Sequence, residues 1–307
     1  MSNQAVSQPG TKKKRKSGLS SDSRKWLSAP GIAFLVIVTQ VPFVLTLYYS
    51  LRGWNLLRPE SNTFTGFRNF SRILSNDAFY TVIWNTVYLT VAVVAITLVL
   101  GLLFAMLLNR PFPGRGLART LLISPFLVMP VVTAVLWKNV LLDPVFGLSA
   151  WLVRLFGLPA IDLIAQFPMP SIIIIVSWQW TPFVMLILLA GLQSMPEETL
   201  EAASLDGASG ITMFRYMILP HLRRFIEIAL LLEMIFILNV FGVIFVTTSG
   251  GPGIITTNLP YQIFLEAFSR WNVGRASAYG VFAVILANIL VILFLRVIGD
   301  QNEQEAA

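Results

Sequence analysis

Between two apolar segments the chain reads Glu201-Ala202-Ala203-Ser204-Leu205-Asp206-Gly207 and, shortly afterwards, Met217-Ile218-Leu219-Pro220. Pro196 stands where a helix can begin, and glutamates fill the first turns, where the positive end of the helix dipole favours carboxylates. Gly207 predicts a sharp turn, because glycine is costly inside a helix. A second short helix is expected over about 211–219, since Pro220 restricts the residue before it and starts the next element. The pattern predicts a helix-turn-helix docking surface.

The overall composition is that of a membrane protein. Of the 307 residues, 56% are hydrophobic and 12% charged, against roughly 25% charged in soluble domains. The chain has no cysteine, which excludes disulfides, thiolate metal sites and cysteine nucleophiles. The formal charge of +7 does not indicate nucleic acid, because the basic residues border apolar segments or lie in one amino-terminal run.

Six apolar segments are each long enough to cross a hydrocarbon core of about 30 Å as a helix rising 1.5 Å per residue. The first holds no charge for 22 residues, longer than the 7–15 residues of a typical signal core, so it is predicted to be an uncleaved span. The sequence therefore predicts an all-α integral membrane protein. The predicted spans are 30–51, 79–108, 121–142, 172–193, 225–247 and 276–298.

The distribution of basic residues predicts that both termini are cytoplasmic. With the amino terminus inside, 14 lysines and arginines lie in inner segments and 7 in outer ones, as the positive-inside rule favours. The predicted organisation is a basic, disordered tail (1–29) containing Lys12-Lys13-Lys14-Arg15-Lys16, a six-span domain (30–298) and a cytoplasmic tail (299–307). The loop 195–224, between spans 4 and 5, then faces the cytoplasm.

The chain has no ATP site of its own. It contains no Gly-Lys dipeptide, so a Walker A loop is impossible. His221 is the only histidine, which excludes histidine-based metal centres and triads, and it is interpreted as an interfacial polar residue. The chain is therefore predicted to be non-catalytic, with no metal and no bound cofactor.

Several polar and aromatic residues inside predicted spans are candidates for a translocation path. Trp178-Gln179-Trp180 offers aromatic faces and an amide, which suit the C–H faces and hydroxyls of polyhydroxylated ligands, although membrane-interface packing is an alternative. Glu233 lies close to the middle of the fifth span, where a carboxyl is expensive. It could receive a substrate hydroxyl or pair with another helix or subunit, and Asn239 has the same two interpretations.

The spacing Glu-Ala-Ala, three residues, Gly, nine residues, Ile-x-Leu-Pro resembles the signature of membrane subunits of binding-protein-dependent ABC importers, with Met217 in place of the isoleucine. Gly66-Phe67-Arg68-Asn69-Phe70, Asn85-Thr86 and Gly250-Gly251-Pro252 are also similar to that family. The resemblance implies that a partner ATPase dimer binds ATP and Mg and seats this loop in a cleft, with Glu201 and Gly207 the most sensitive positions. The predicted coupling set is Glu201, Ala202, Ala203, Asp206, Gly207, Leu219 and Pro220.

Within this family the chain resembles carbohydrate permeases of the maltose and glycerol-phosphate type, and looks closest to permeases for polyols such as sorbitol and mannitol. The resemblance implies a bacterial inner-membrane subunit that works with a second homologous permease and an extracytoplasmic solute-binding protein. It also implies alternating access coupled to ATP hydrolysis. Two alternatives stay open: a secondary transporter that uses Glu233 as an ion or proton site, and a membrane scaffold that transports nothing.

Overall fold

The computed structural model describes the backbone of residues 21–305 and the side chains of residues 29–296 other than Glu197. In this part all regular elements are helical, apart from two isolated bridges in the segment 52–64. The helices are α1 (Ser21–Ser50), α2 (Arg68–Leu74), α3 (Asp77–Asn109), α4 (Arg115–Leu127), α5 (Pro130–Leu136), α6 (Leu148–Leu155), α7 (Leu163–Gln166), α8 (Pro168–Gln193), α9 (Glu197–Leu205), α10 (Gly210–Met213), α11 (Leu219–Ile237), α12 (Gly242–Thr247), α13 (Leu259–Phe264) and α14 (Val273–Glu305). A 3₁₀ turn covers Pro59–Ser61, and π-helical turns cover Trp137–Leu141, Phe214–Ile218 and Leu265–Ser269.

Four helical segments of the described chain are individually long and apolar enough to cross a membrane: Ala29–Ser50, Asp77–Asn109, Pro168–Gln193 and Val273–Arg296. A fifth crossing is possible if α4 and the helix Pro130–Leu141 count together. Multiple membrane crossings are thus supported, while the predicted number of six stays a prediction.

The predicted third span, 121–142, is not one continuous helix. Its two halves are bent by 104°. Pro130 opens the second half and Met129 before it has an extended backbone (φ −59°, ψ 139°), because a proline disfavours the helical conformation of its predecessor. The span is therefore a broken one.

The predicted fifth span, 225–247, is broken as well. Helix α11 starts earlier than predicted and ends at Ile237, and α12 begins only at Gly242. Since α11 carries Arg223, Arg224, Glu227 and Glu233 within 19 residues, it is not among the apolar spans. A sixth crossing would have to join α11 and α12 through the irregular residues 238–241.

Helices α1 and α14 reach into the segments that were predicted as tails. Helix α1 already begins at Ser21, so residues 21–29 are helical, and the basic run at 12–16 lies outside the described residues. Helix α14 continues to Glu305, past the predicted span end at 298. Polar residues with adequate helix propensity can extend a helix beyond its apolar part.

The core is built on the pair α3 and α8, which make the most extensive contact between helices. Gly101 lies where they cross, since a Cβ atom there would stand 2.9 Å from Val184 Cγ1 and 3.0 Å from the Met185 nitrogen. Helix α11 packs on the same two helices. Three fully buried residues, Val93, Ile172 and Leu188, fill the space around α3 and α8.

Asn85 and Thr86 on α3 fasten the loop that follows α12. The Asn85 amide donates to the carbonyls of Ile254 (2.9 Å) and Thr257 (3.0 Å), and the Thr86 hydroxyl accepts from the Leu259 nitrogen at 2.9 Å. In the same loop Gly250 has φ +80°, and a Cβ atom there would lie 2.5 Å from the Thr257 hydroxyl oxygen. Only glycine fits this position without displacement.

Candidate functional site

The breaks in the third and fifth predicted spans meet at one small cavity. Helix α5 packs against α12, and the middle of α8 lies beside both breaks. The cavity has a volume of about 140 Å³, and its lining includes Pro130, Gln179, Trp180, Phe236, Asn239 and Phe241. Irregular backbone within a membrane is tolerated only where it is buried in protein or lines an aqueous cavity, so the cavity where both breaks meet is the candidate site.

Side-chain amides compensate for backbone hydrogen bonds that the breaks leave open. The Gln179 amide, on a side chain that is almost fully buried, donates to the carbonyl of Val128 at 2.8 Å. The Asn258 amide donates to the carbonyl of Val240 at 2.5 Å. Because a buried carbonyl without a partner costs about 1–3 kcal/mol, these amides hold both breaks in place.

Trp180 supplies an aromatic wall to this cavity. Its ring stacks on Phe236, with ring centroids 5.0 Å apart and planes inclined by 25°. Asn239, three residues after Phe236, is exposed, and its side-chain nitrogen donates to the Ile235 carbonyl at 2.8 Å. Its side-chain oxygen can act as an acceptor. Aromatic faces beside an exposed amide can receive a ligand with both C–H faces and hydroxyls.

The sequence did not single out Phe236 as part of this site. The signal was present, because residues three apart on a helix are neighbours and Phe236 precedes Asn239 by three. The partner that gives Phe236 its role, Trp180, is distant in sequence and could be identified only from the fold.

Trp178 does not join Trp180. Two residues apart on a helix of 3.6 residues per turn, the two rings point in nearly opposite directions. Trp178 instead lines a separate, mostly apolar cavity of about 460 Å³ between α3, α4 and α8. There it lies edge-to-face with Trp137, with ring centroids 5.7 Å apart.

Glu233 also stays apart from the cavity with Trp180. Its side chain has no exposed surface, and neither carboxyl oxygen has a hydrogen-bond partner among the described residues. Its polar neighbour on α3 is Thr97, whose hydroxyl donates to the Val93 carbonyl at 2.9 Å. Pairing of Glu233 with a charged group is therefore not seen within the described chain, and its role stays a prediction.

The loop carrying the motif forms two helices joined at Gly207. This glycine has φ +81°, and the bonds from Gly207 N to Ser204 O (3.2 Å) and from Ala208 N to Ala203 O (3.0 Å) form the Schellman pattern that ends a helix. Ser209 then caps α10, accepting from the Thr212 nitrogen at 3.3 Å. Glu201, Ala202, Asp206 and Gly207 are exposed, whereas Ala203 is half-buried.

Pro220 does not separate two helices as predicted. The chain stays helical from Gly210 through Ile237, because the π-helical turn Phe214–Ile218 lets the Leu219 nitrogen donate to the Phe214 carbonyl, five residues back. A wider turn makes room for the proline ring, which would clash with a carbonyl in a regular α-helix. The expected helix 211–219 is thus the first part of a longer one that includes α11.

His221 joins the two ends of this loop. Its Nε2 lies 3.1 Å from the carbonyl oxygen of Gly191 and 3.0 Å from the hydroxyl oxygen of Ser194, both at the end of α8. Gly191 permits this approach, since a Cβ atom there would stand 2.7 Å from the Phe225 ring. Beside this contact Arg223 pairs with Glu227 at 3.4 Å.

Comparison with known proteins identifies the family. The model of the family described as "Binding-protein-dependent transport system inner membrane component" matches residues 97–304. A probable ABC transporter permease of Sinorhizobium fredii, y4oQ, is 37% identical over 87% of this chain and 88% of its own length. The trehalose/maltose transport system permease MalF of Thermococcus litoralis is 33% identical over 87% and 90%.

A solved structure has the same fold. It is a chain from the crystal structure of a bacterial ABC transporter involved in the import of the acidic polysaccharide alginate. That chain superimposes with a TM-score of 0.77 at 21% sequence identity, over 90% of this chain and 96% of the other. Sequence and fold therefore place this chain among the inner-membrane permease subunits of binding-protein-dependent ABC transport systems.

Proposed function

We propose that this chain is the permease subunit of an ATP-driven importer that carries a sugar or polyol across a bacterial inner membrane. The observation that carries the proposal is the meeting of the stacked Trp180, the exposed Asn239 amide and two broken helices at one cavity in the middle of α8. The substrate class is supported by the 33% identical trehalose/maltose permease. Polyols such as sorbitol and mannitol remain the narrower expectation from sequence resemblance.

The motif loop is the proposed contact with the ATPase. Leu205 and Ile211 flank the Gly207 turn with 88% and 81% of their side chains exposed, and Glu201 and Asp206 add negative charge beside them. Exposed apolar side chains rimmed by polar ones are typical of a protein-binding surface. ATP and Mg would be bound entirely by the partner ATPase dimer, because this chain has no phosphate-binding loop.

We propose alternating access as the mechanism, and the way the loop is attached supports it. The loop leaves α8 and returns into α11, and these helices carry Trp180 and Phe236 at the cavity. The contact between His221 and Gly191 joins the two helices at their loop ends. Closure of the ATPase would move the loop. The cavity, enclosed together with a second, homologous permease, would then open alternately to the outer and the inner side of the membrane. ATP can drive such a change only if it binds more tightly to one of the two conformations of the transporter than to the other.

Reconstitution tests this function. The chain would be assembled in liposomes with its second permease, its ATPase and its extracytoplasmic binding protein, and uptake of trehalose, maltose, sorbitol and mannitol would be measured. We expect uptake of at least one of them to require both the binding protein and ATP on the ATPase side. Uptake that persists without ATP and follows a proton gradient would contradict the proposal, as would an absence of uptake for all four solutes by an assembly with active ATPase.

A further inference from the structure

The segment 144–161, which connects the end of the broken third span to the turn before α8, has an unusual surface. Among its 18 residues Arg154 is the only charged one. Nine large apolar side chains are nevertheless exposed: Val145, Phe146, Leu148, Trp151, Leu152, Leu155, Phe156, Leu158 and Ile161. So many exposed apolar side chains in one short segment are rarely left in water. We call this segment the apolar hairpin.

Side-chain hydrogen bonds of Asp143 and Arg154 fix the backbone at the start of the apolar hairpin. At its entry the Asp143 carboxylate accepts from the nitrogens of Val145 (2.8 Å) and Phe146 (2.7 Å). These hydrogen bonds, that from Phe146 foremost, lower the pKa of Asp143. The Arg154 guanidinium donates back to the carbonyls of Val145 (3.1 Å) and Pro144 (3.2 Å). Gly157, with φ +71°, ends α6 and reverses the chain.

The position of the hairpin shows what lies beside it. Helix α6 contacts the π-helical turn Trp137–Leu141, at the end of the broken third span, and after α7 the chain enters α8 at Pro168. Both ends of the hairpin are therefore attached where membrane-crossing helices end. Trp151 belongs to a residue type that is enriched at membrane–water interfaces, and Phe146 and Phe156 suit the apolar face of an interfacial segment.

We propose that the apolar hairpin lies in the bilayer interface, with its exposed apolar side chains covered by lipid at the boundary between headgroups and acyl chains. An amphipathic helix in this plane buries its apolar face about 5–10 Å deep. The single cation, Arg154, is then at the level of the phosphates. Cover by a transiently docking solute-binding protein fits less well, because transient interfaces are about as polar as the remaining protein surface. The apolar side chains of the hairpin would also return to water each time that protein dissociated.

The test uses the natural absence of cysteine from the chain. Trp151→Cys and Leu155→Cys, which lie on one face of α6, would each carry a nitroxide spin label in the assembled transporter in nanodiscs of phosphatidylethanolamine and phosphatidylglycerol. Glu60→Cys, at an exposed acidic position in the segment 52–65, is the matched control for a water-exposed label. ATPase activity equal to that of the unlabelled complex would verify that each variant is folded and assembled.

Collision rates of the label with oxygen, which concentrates in lipid, and with a nickel chelate, which stays in water, distinguish the outcomes. We expect the ratio of oxygen to nickel accessibility at 151 and 155 to exceed that at 60 severalfold, with or without the solute-binding protein. Nickel accessibility equal to that at 60 would overturn the proposal. Labels shielded from both reagents would overturn it in favour of cover by the second permease, and shielding that requires the binding protein would overturn it in favour of that partner.

Discussion

The Nε2 atom of His221, at the start of α11, lies 3.1 Å from the carbonyl oxygen of Gly191 in the last turn of α8. A carbonyl can only accept, so a hydrogen bond here requires the tautomer that carries the proton on Nε2. The contact closes the base of the motif loop and links the two helices that bring Trp180 and Phe236 to the central cavity. These two helices therefore connect the motif loop to the cavity lined by Trp180 and Phe236.

Gly191→Val is expected to separate these helices. The first added carbon would meet the Phe225 ring at 2.7 Å and Leu222 Cδ2 at 2.8 Å, and overpacking of this kind costs about 1–3 kcal/mol. We expect a lower thermal midpoint in detergent and a loss of ATP-driven uptake. Gly210→Ala, in the same loop but with no atom within 4 Å of the added carbon, is the control and should resemble the parent. Equal behaviour of the two variants would argue against close packing at Gly191.

The turn at Gly207 should tolerate asparagine better than a β-branched residue. Its φ of +81° is adopted by asparagine at moderate cost, while a β-branched side chain is strained there. Gly207→Val should abolish uptake with normal membrane insertion, and Gly207→Asn should retain a measurable part of it. Glu201→Lys, which reverses a charge without touching the turn, should also abolish uptake. Normal uptake by Gly207→Val would refute the coupling role of this loop.

The aromatic ring of Trp180 is expected to contribute to the passage of solute. Trp180→Ala removes the stack on Phe236, worth about 0.5–1.5 kcal/mol, together with one aromatic face of the cavity, and should reduce the maximal uptake rate severalfold. Trp180→Phe keeps an aromatic face, and its maximal uptake rate should lie between those of the parent and of Trp180→Ala. Trp84→Ala, which removes an exposed tryptophan of α3 stacked on Tyr88, should leave uptake unchanged. A loss of equal size at Trp84 would indicate a general folding defect instead.

Asn85→Ala should destabilise the fold. The substitution leaves the carbonyls of Ile254 and Thr257 without this donor, at a cost of about 1–3 kcal/mol for buried groups. The thermal midpoint should fall, and limited proteolysis should begin in the loop 248–258. Asn288→Ala is the matched control, because its exposed amide donates only within its own helix, to Val284. If Asn85→Ala had the same thermal midpoint as Asn288→Ala, the hydrogen bonds from Asn85 to the loop would be dispensable for stability.

Glu233→Gln distinguishes an ATP-driven importer from an ion-coupled one. The buried carboxyl has no hydrogen-bond partner in the described chain, and glutamine has the same shape without a proton to exchange. In an ATP-driven importer we expect uptake within about twofold of the parent, a difference of roughly 0.4 kcal/mol, and resistance to a protonophore in both. Complete loss of uptake in Glu233→Gln, together with uptake by the parent that is abolished by the protonophore, would support proton coupling through Glu233.

Part of this molecule follows from local sequence. Hydrophobic segments of sufficient length predict membrane helices, because each helix satisfies its own backbone in lipid. Glycine at 207 predicts a turn, because only a residue without a side chain enters the left-handed region freely. The acidic motif before that turn predicts the family, and the comparisons confirm the family.

The tertiary structure decided everything that depends on two distant parts of the chain. Pro125 and Pro130 indicate a kink in the third predicted span, but hydropathy over 121–142 and 225–247 does not record how far the backbone bends or where the second break falls. The pairing of Trp180 with Phe236, the contact of His221 with Gly191 and the fastening of the loop at 254–257 by Asn85 all join helices far apart in sequence. Such contacts depend on how the helices pack, and no local pattern of residues specifies that packing.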